Sequence, residues 1–226
     1  MANKEVSDKI KERLHAYCQC TPDTCYVLTM LARKKDNGEL TERHKIEKTS
    51  RFIFSKQEEI DDVVDLAVAK AELVPALKFR VQVSVNRRSL RKGLKEIQIR
   101  LLTISNDLMD GNHEAYSTLA NMHSEVKSIF CNRACRYEKR FLFDVDYDNK
   151  TKEGQNAFLD LLNKLKSVEQ NGLPLRVYYS SATKNGFAIV TDPFDFHRSF
   201  NGLPNVDIKP DDGLLVGCLN DPDYVF

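Results

Sequence analysis

The sequence predicts an α+β fold, a mostly antiparallel sheet with helices over it. Three observations point there. Residues 79–85 alternate apolar and polar as a half-buried strand does. Residues 140–146 form an apolar strand that runs straight into acids. The C-terminal half reads β-α-β-β-α-β, behind a helical and mixed N-terminal half.

In chain order, Val6, Ile10, Leu14 and Tyr17 recur at helical spacing, and the turn residues Thr21-Pro22-Asp23 interrupt that helix. A mostly apolar run over 26–32, the polar turn Lys35-Asp36-Asn37-Gly38 and a strand over 46–54 follow. Ile60, Val63, Val64, Ala67 and Ala71 put one apolar face on a helix over 56–72, with carboxylates in its first turn and Pro75 to stop it. In the strand 79–85, Phe79, Val81, Val83 and Val85 point one way, Arg80, Gln82 and Ser84 the other. Leu90, Leu94, Ile97, Leu101 and Ile104 define the next helix, Asp110-Gly111-Asn112 a turn, and Tyr116, Leu119, Ala120, Val126 and Phe130 a further helix. After the strand at 141–146, Phe158, Leu161, Leu162, Leu165 and Val168 mark a helix closed by Asn171-Gly172. Strands at 175–180 and 186–191, a short helix at 193–200 and a strand or hairpin over 206–219 complete the pattern. We expect one continuous unit with two lobes, an N-terminal helical and mixed lobe (1–75) and a second lobe (76–226).

The chain has 226 residues, 42% of them hydrophobic and 30% charged, which is ordinary soluble globular material. No run approaches the roughly 18–20 apolar residues of a membrane span, so no membrane partner is expected. The opening MANKEVSDKIKERL lacks the apolar core of a secretory signal. A cytoplasmic location with reduced thiols is the expectation. The net charge of +1 is unevenly spread. Between residues 78 and 100, eight cations face Glu96 alone; from 192 to 226, seven aspartates face Arg198 and Lys209. Such segments suit a site that handles phosphates near a metal, or two solvated faces that attract one another.

Asp144 and Asp146, two apart on a strand, share a face while Phe143 and Val145 enter the core. Adjacent carboxylates repel unless a cation lies between them, and their hard oxygens suit Mg²⁺ or Mn²⁺. The other reading is an exposed strand end leading to the turn Tyr147-Asp148-Asn149-Lys150. In the loop at 181–186, Ser181, Thr183 and Lys184 with backbone N–H groups suit a triphosphate or a nucleic-acid phosphate, while Asn185-Gly186 also makes a plain hairpin turn. Asp207, among apolar neighbours, supplies a third carboxylate. Arg87, Arg88, Arg91, Lys92 and Lys95 read as a cationic helix stripe able to track a nucleic-acid backbone. Cys18, Cys20, Cys131 and Cys135 form a candidate zinc set, although their spacing is not the usual C-x₂-C knuckle.

Taken in order, the acid-x-acid strand (Asp144, Asp146), the small-residue loop and the hydrophobic-Asp strand (Asp207) resemble the archaeo-eukaryotic primase-like catalytic core. Asn185-Gly186-Phe187-Ala188-Ile189-Val190 followed by Asp192-Pro193-Phe194 is similar to the phage and bacterial branch of that family, as is the stretch from Lys78 to Ser89. The resemblance spans roughly residues 40–219. It implies an RRM-related core and metal-dependent nucleotidyl transfer, with Asp144, Asp146 and Asp207 on Mg²⁺ or Mn²⁺. It further implies nucleic acid and nucleoside triphosphate as partners, DNA replication proteins beside them, and the host cytoplasm if the chain is viral. The family's second-motif histidine aligns with Ala188. A catalytically degenerate nucleic-acid-binding or protein-interaction module therefore stands as the alternative, and a metal-dependent nuclease or phosphoesterase as a further one.

Overall fold

Alternating apolar residues require strands with two distinct faces, and the chain builds two antiparallel sheets from them. The structure is a computed structural model and describes residues 2–38, 49–170, 172–196 and 205–221. The first sheet holds β1 (Thr24–Leu31), β2 (Thr49–Phe54), β3 (Phe79–Ser84) and β11 (Gly213–Leu219) in the order β11-β3-β1-β2, with the short β4 (Arg88–Ser89) also pairing with β1. One face, with Tyr26, Leu28, Met30, Val81, Val83 and Leu214, packs on α1 (Ala2–Tyr17) and α3 (Glu59–Glu72) through Ile10, Leu14, Ile60, Val64 and Ala67. On the other face, Cys25, Val27 and Ile53 lie beneath α4 (Leu90–Met109) and α6 (Met122–Cys131), where Phe130 is the buried contact. The rest of that face stays half-buried. Beside it lies the single turn α2 (Lys34–Asn37).

The second sheet holds β5 (Phe141–Val145), β8 (Val177–Ala182), β9 (Phe187–Thr191) and β10 (Val206–Lys209) in the order β10-β5-β9-β8. Phe143, Val145, Phe187 and Ile189 on one face pack on α7 (Lys152–Lys166) through Leu161 and Leu165, and Phe158 stacks on Phe187 at 4.0 Å. Thr151 caps α7 by accepting from the Gly154 N–H. These antiparallel sheets and helices are the α+β class expected.

Several elements differ from expectation for local reasons. The helix expected through 116–130 breaks at Asn121 into α5 (Glu114–Ala120) and α6. On α4 the apolar periodicity is only partly used, since Leu94 is 57% exposed while Gly93 and Ile104 are buried. Gly93 is the close-approach point, because a Cβ there would run into the Phe130 ring. Gly172, at φ +76°, turns the small hairpin of β6 (Glu169–Gln170) and β7 (Leu173–Pro174) rather than capping α7, which ends at Lys166. The 206–219 segment is not a hairpin. Its two strands join different sheets, β10 beside β5 and β11 beside β3. The boundary expected at 75/76 thus falls inside the span of the first sheet. The start of the strand expected over 46–54 and most of the helix expected over 193–200, His197 included, lie outside the described residues; 192–195 are irregular.

Candidate functional site

Period-two alternation sorts β5 cleanly. Phe143 and Val145 enter the α7 core, so Leu142, Asp144 and Asp146 take the opposite face. Across the antiparallel ladders Asp144 opposes Asp207 on β10 and Ala188 on β9, and Ala188 opposes Ser181 on β8. Directly opposed residues share a face. Asp207, Asp144, Ala188 and Ser181 therefore form one row across the sheet. Pairing continues past the end of β5, where the Asp146 N–H donates to the Asn205 carbonyl at 2.8 Å. The Asn149 amide ties the turn after the acids to the β8–β9 hairpin by donating to the Thr183 and Gly186 carbonyls. At Gly186 a Cβ would run into the Val145 carbonyl oxygen, so the hairpin can close against β5 only with glycine there.

Lys209 supplies the cation that crowded carboxylates require. Its Nζ lies 2.7 Å from Asp144 Oδ2, 3.7 Å from Asp207 Oδ2 and 3.8 Å from Asp212 Oδ2. Burial alone pulls its pKa down, but the hydrogen bond to Asp144 and the charges of Asp144, Asp212 and Asp207 outweigh that and hold it above the ordinary lysine value. Asp144 and Asp146 line a cleft of about 620 Å³, whereas the Asp207 side chain is 71% exposed and is not part of its lining.

The facing wall comes from the first sheet. Lys78, Arg80 and Gln82 of the β3 segment line it, with Thr183 and Lys184 reaching in from the β8–β9 hairpin. Lys78 and Lys184 meet on Asp221, at 2.8 and 3.3 Å. Burial pushes the Asp221 carboxyl upward, yet the hydrogen bonds and charges of those two ammonium groups overcome it and hold it below the usual carboxylate value. Arg80 is bidentate to Asp36, at 2.8 and 3.0 Å. Ser181 keeps its row position, and its hydroxyl is buried without a hydrogen-bond partner.

The cationic stripe is corrected. The helix begins only at Leu90, so Arg87 and Arg88 lie in the extended segment before it, where Arg88 pairs with Cys25 in the sheet. Arg87 is bidentate to Glu138 at 2.8 and 2.6 Å and sits over the Tyr137 ring. Arg88 is buried on Asp211 at 3.2 Å. Lys92 donates to the Arg136 carbonyl, and of the five only Arg91 and Lys95 stand exposed without a partner among the described residues. The zinc set is not brought together either. Cys18 and Cys20 belong to the α1–α3 core, while Cys131, at the end of α6, packs on the opposite face of the first sheet with Cys25, Val27 and Phe130. Burial raises the thiol pKa of all four, which disfavours the thiolate that zinc needs. Among the described residues no three His, Cys, Asp or Glu side chains are grouped closely enough to hold a metal ion. In the acid row the Lys209 ammonium stands between Asp144 and Asp207.

Lys78, Arg80, Asp212 and Asp221 escaped the sequence reading as site residues. Arg80 was legible in retrospect, as an outward cation on an alternating strand. Asp212 and Asp221 flank β11, whose membership of the first sheet no local pattern announces. In comparisons with protein families, curated proteins and solved structures, nothing matches this chain.

Proposed function

We propose that this protein is a primase-like, metal-dependent nucleotidyltransferase that acts on nucleic acid. One observation carries the reading: Asp144 and Asp207 oppose each other in one row of a sheet, with Asp146 on the same face and a wall of Lys78, Arg80 and Lys184 across the cleft. Acids facing cations suit phosphoryl transfer, metal ligands at the reacting oxygens and positive charge on the non-reacting phosphates; here Lys78, Lys184 and Arg80 rest on Asp221 and Asp36, and a phosphate would have to displace those carboxylates.

The donors suit Mg²⁺ or Mn²⁺ in kind, being hard carboxylate oxygens, although among the described residues three of them are not gathered around one point and Lys209 takes the position between Asp144 and Asp207. Asp144 and Asp146 would hold the ion once Lys209 turns aside, with Asp207 as third ligand. The chemistry supplied by an ion held there would be Lewis acidity toward an attacking hydroxyl and charge neutralisation on a leaving pyrophosphate. Lys184, Thr183 and Lys78 bind the incoming phosphates, and Ser181 offers its unpaired hydroxyl beside Ala188.

The test is incorporation of labelled nucleotide into a primed template with Mg²⁺ or Mn²⁺. Asp144→Asn/Asp146→Asn should abolish extension while leaving the fold intact by circular dichroism. Shortened template instead of extended product would mark the nuclease reading. The second reading, a nucleic-acid-binding module without catalysis, is favoured by Ala188 in the row and by Lys209 among the acids. It predicts nucleic-acid binding that ignores both metal and nucleotide.

A further inference from the structure

Outside the cleft, a second hollow of about 520 Å³ lies at the edge strand β2 and the first two turns of α6. Thr49, Arg51, His123, Ser124, Lys127 and Ser128 line it on the α6 side of the strand, and Ser50, Phe52 and Lys70 on the α3 side, with no carboxylate among the described residues. The Ser50 hydroxyl is buried and has no hydrogen-bond partner. Arg51 Nη1 donates to Ser128 Oγ at 3.3 Å, which draws the guanidinium toward α6.

The sheet register links this hollow to the cleft. Gln82 opposes Leu215 on one side and Thr29 on the other, and Thr29 opposes Arg51. Arg80 likewise opposes Cys218 and Leu31, and Leu31 opposes Thr49. Leu215, Gln82, Cys218, Arg80 and Leu31 are cleft residues, so the cleft wall and the Thr49 and Arg51 side of the hollow are two ends of one sheet face. From β3 to β2 is two strand spacings, about 10 Å. That matches the rise of about three stacked nucleotides at 3.4 Å each.

We propose that this face is a track for a single nucleic-acid strand, with the hollow at Arg51 and Lys127 holding a backbone phosphate about three nucleotides from the cleft. The direction toward the cleft rests on the nucleotidyl-transfer reading; the phosphate site itself does not. Cations with hydroxyls, and no competing acid among the described residues, select a phosphodiester by charge and hydrogen bonding, and the half-buried polar side chains of Thr29 and Gln82 lie between the two ends.

The experiment is fluorescence anisotropy of the full chain with labelled single-stranded oligonucleotides, from dinucleotide to about ten residues, in EDTA so that no metal chemistry contributes. In wild type, affinity should rise with length. Arg51→Gln/Lys127→Gln should weaken the longer oligonucleotides about tenfold and reduce the salt slope by about 0.7, the value for one lost phosphate on a single strand. Arg51→Lys/Lys127→Arg should retain most of the binding, and unchanged melting curves check that both variants fold. Equal affinity of the wild type and the glutamine variant would overturn the track. So would affinity independent of length, which marks a site for free phosphate alone. Because the assay is metal-free, a wild type that binds by length yet never incorporates nucleotide keeps this inference and removes only the catalytic reading.

Discussion

Removing the Asp211 carboxylate should unfold the protein far more readily than any surface change. Its side chain is 4% exposed and accepts from Asn86 Nδ2 at 3.0 Å and from Arg88 Nη2 at 3.2 Å, while Arg133 and Arg136 stand at 3.8 and 3.9 Å. Arg88 is equally enclosed, at 6% exposed. Asp211→Ala therefore leaves a guanidinium in the interior without its counter-charge, a loss of about 3–5 kcal/mol. For a chain of this size, at about 2–4 °C per kcal/mol, the melting temperature should fall on the order of 10 °C. Urea denaturation of the single variants Asp211→Ala and Arg88→Met and of the double variant Arg88→Met/Asp211→Leu provides the assay. The double variant should recover much of the loss, because apolar groups of similar volume need no partner, with a coupling on the order of 2 kcal/mol. A loss below about 1 kcal/mol for Asp211→Ala would mean that the pair behaves as a solvated surface bridge, and the reasoning would fail. The same variants separate structure from recognition, since Arg88→Met should lose stability without changing the salt slope of nucleic-acid binding.

Three further outcomes follow from the site. Lys209→Gln removes the cation 2.7 Å from Asp144, so Mn²⁺ affinity read by electron paramagnetic resonance should rise about tenfold, and no change would show that Lys209 does not compete with a metal. Gly186→Ala forces β9 away from the Val145 carbonyl and should cost about 1–3 kcal/mol with loss of nucleotide incorporation; a fully active, equally stable variant would contradict the close packing. The Asp221 carboxyl sits below its ordinary value, so its contribution is present at neutral pH and fades as pH falls below about 4 through the depressed folded-state value. Wild type should exceed Asp221→Asn in chemical denaturation at pH 7, and the gap should narrow at pH 3.

Much of the site was readable before any coordinates, because strand alternation is a local rule. Phe143 and Val145 are apolar, so Asp144 and Asp146 had to share the other face, and they do. The cationic stripe misled because helical spacing was extended two residues too early. Arg87 and Arg88 have the spacing of a helix face but precede Ser89, which caps α4 by accepting from the Lys92 N–H. What their charges meet, Glu138 and Asp211, lies 51 and 123 residues away along the chain. No window of sequence contains both members of either pair.

By itself the sequence determined where most of the longer strands and helices lie and which side chains of a strand share a face, since these follow from backbone periodicity and side-chain chemistry within a few residues. Only the tertiary structure decided that β10 lies against β5, that β11 crosses to the first sheet, and that the Lys209 ammonium settles among three carboxylates. Pairing of distant strands is chosen by the whole core at once: many antiparallel partners offer equivalent backbone hydrogen bonds, and burial of both sheets together selects among them.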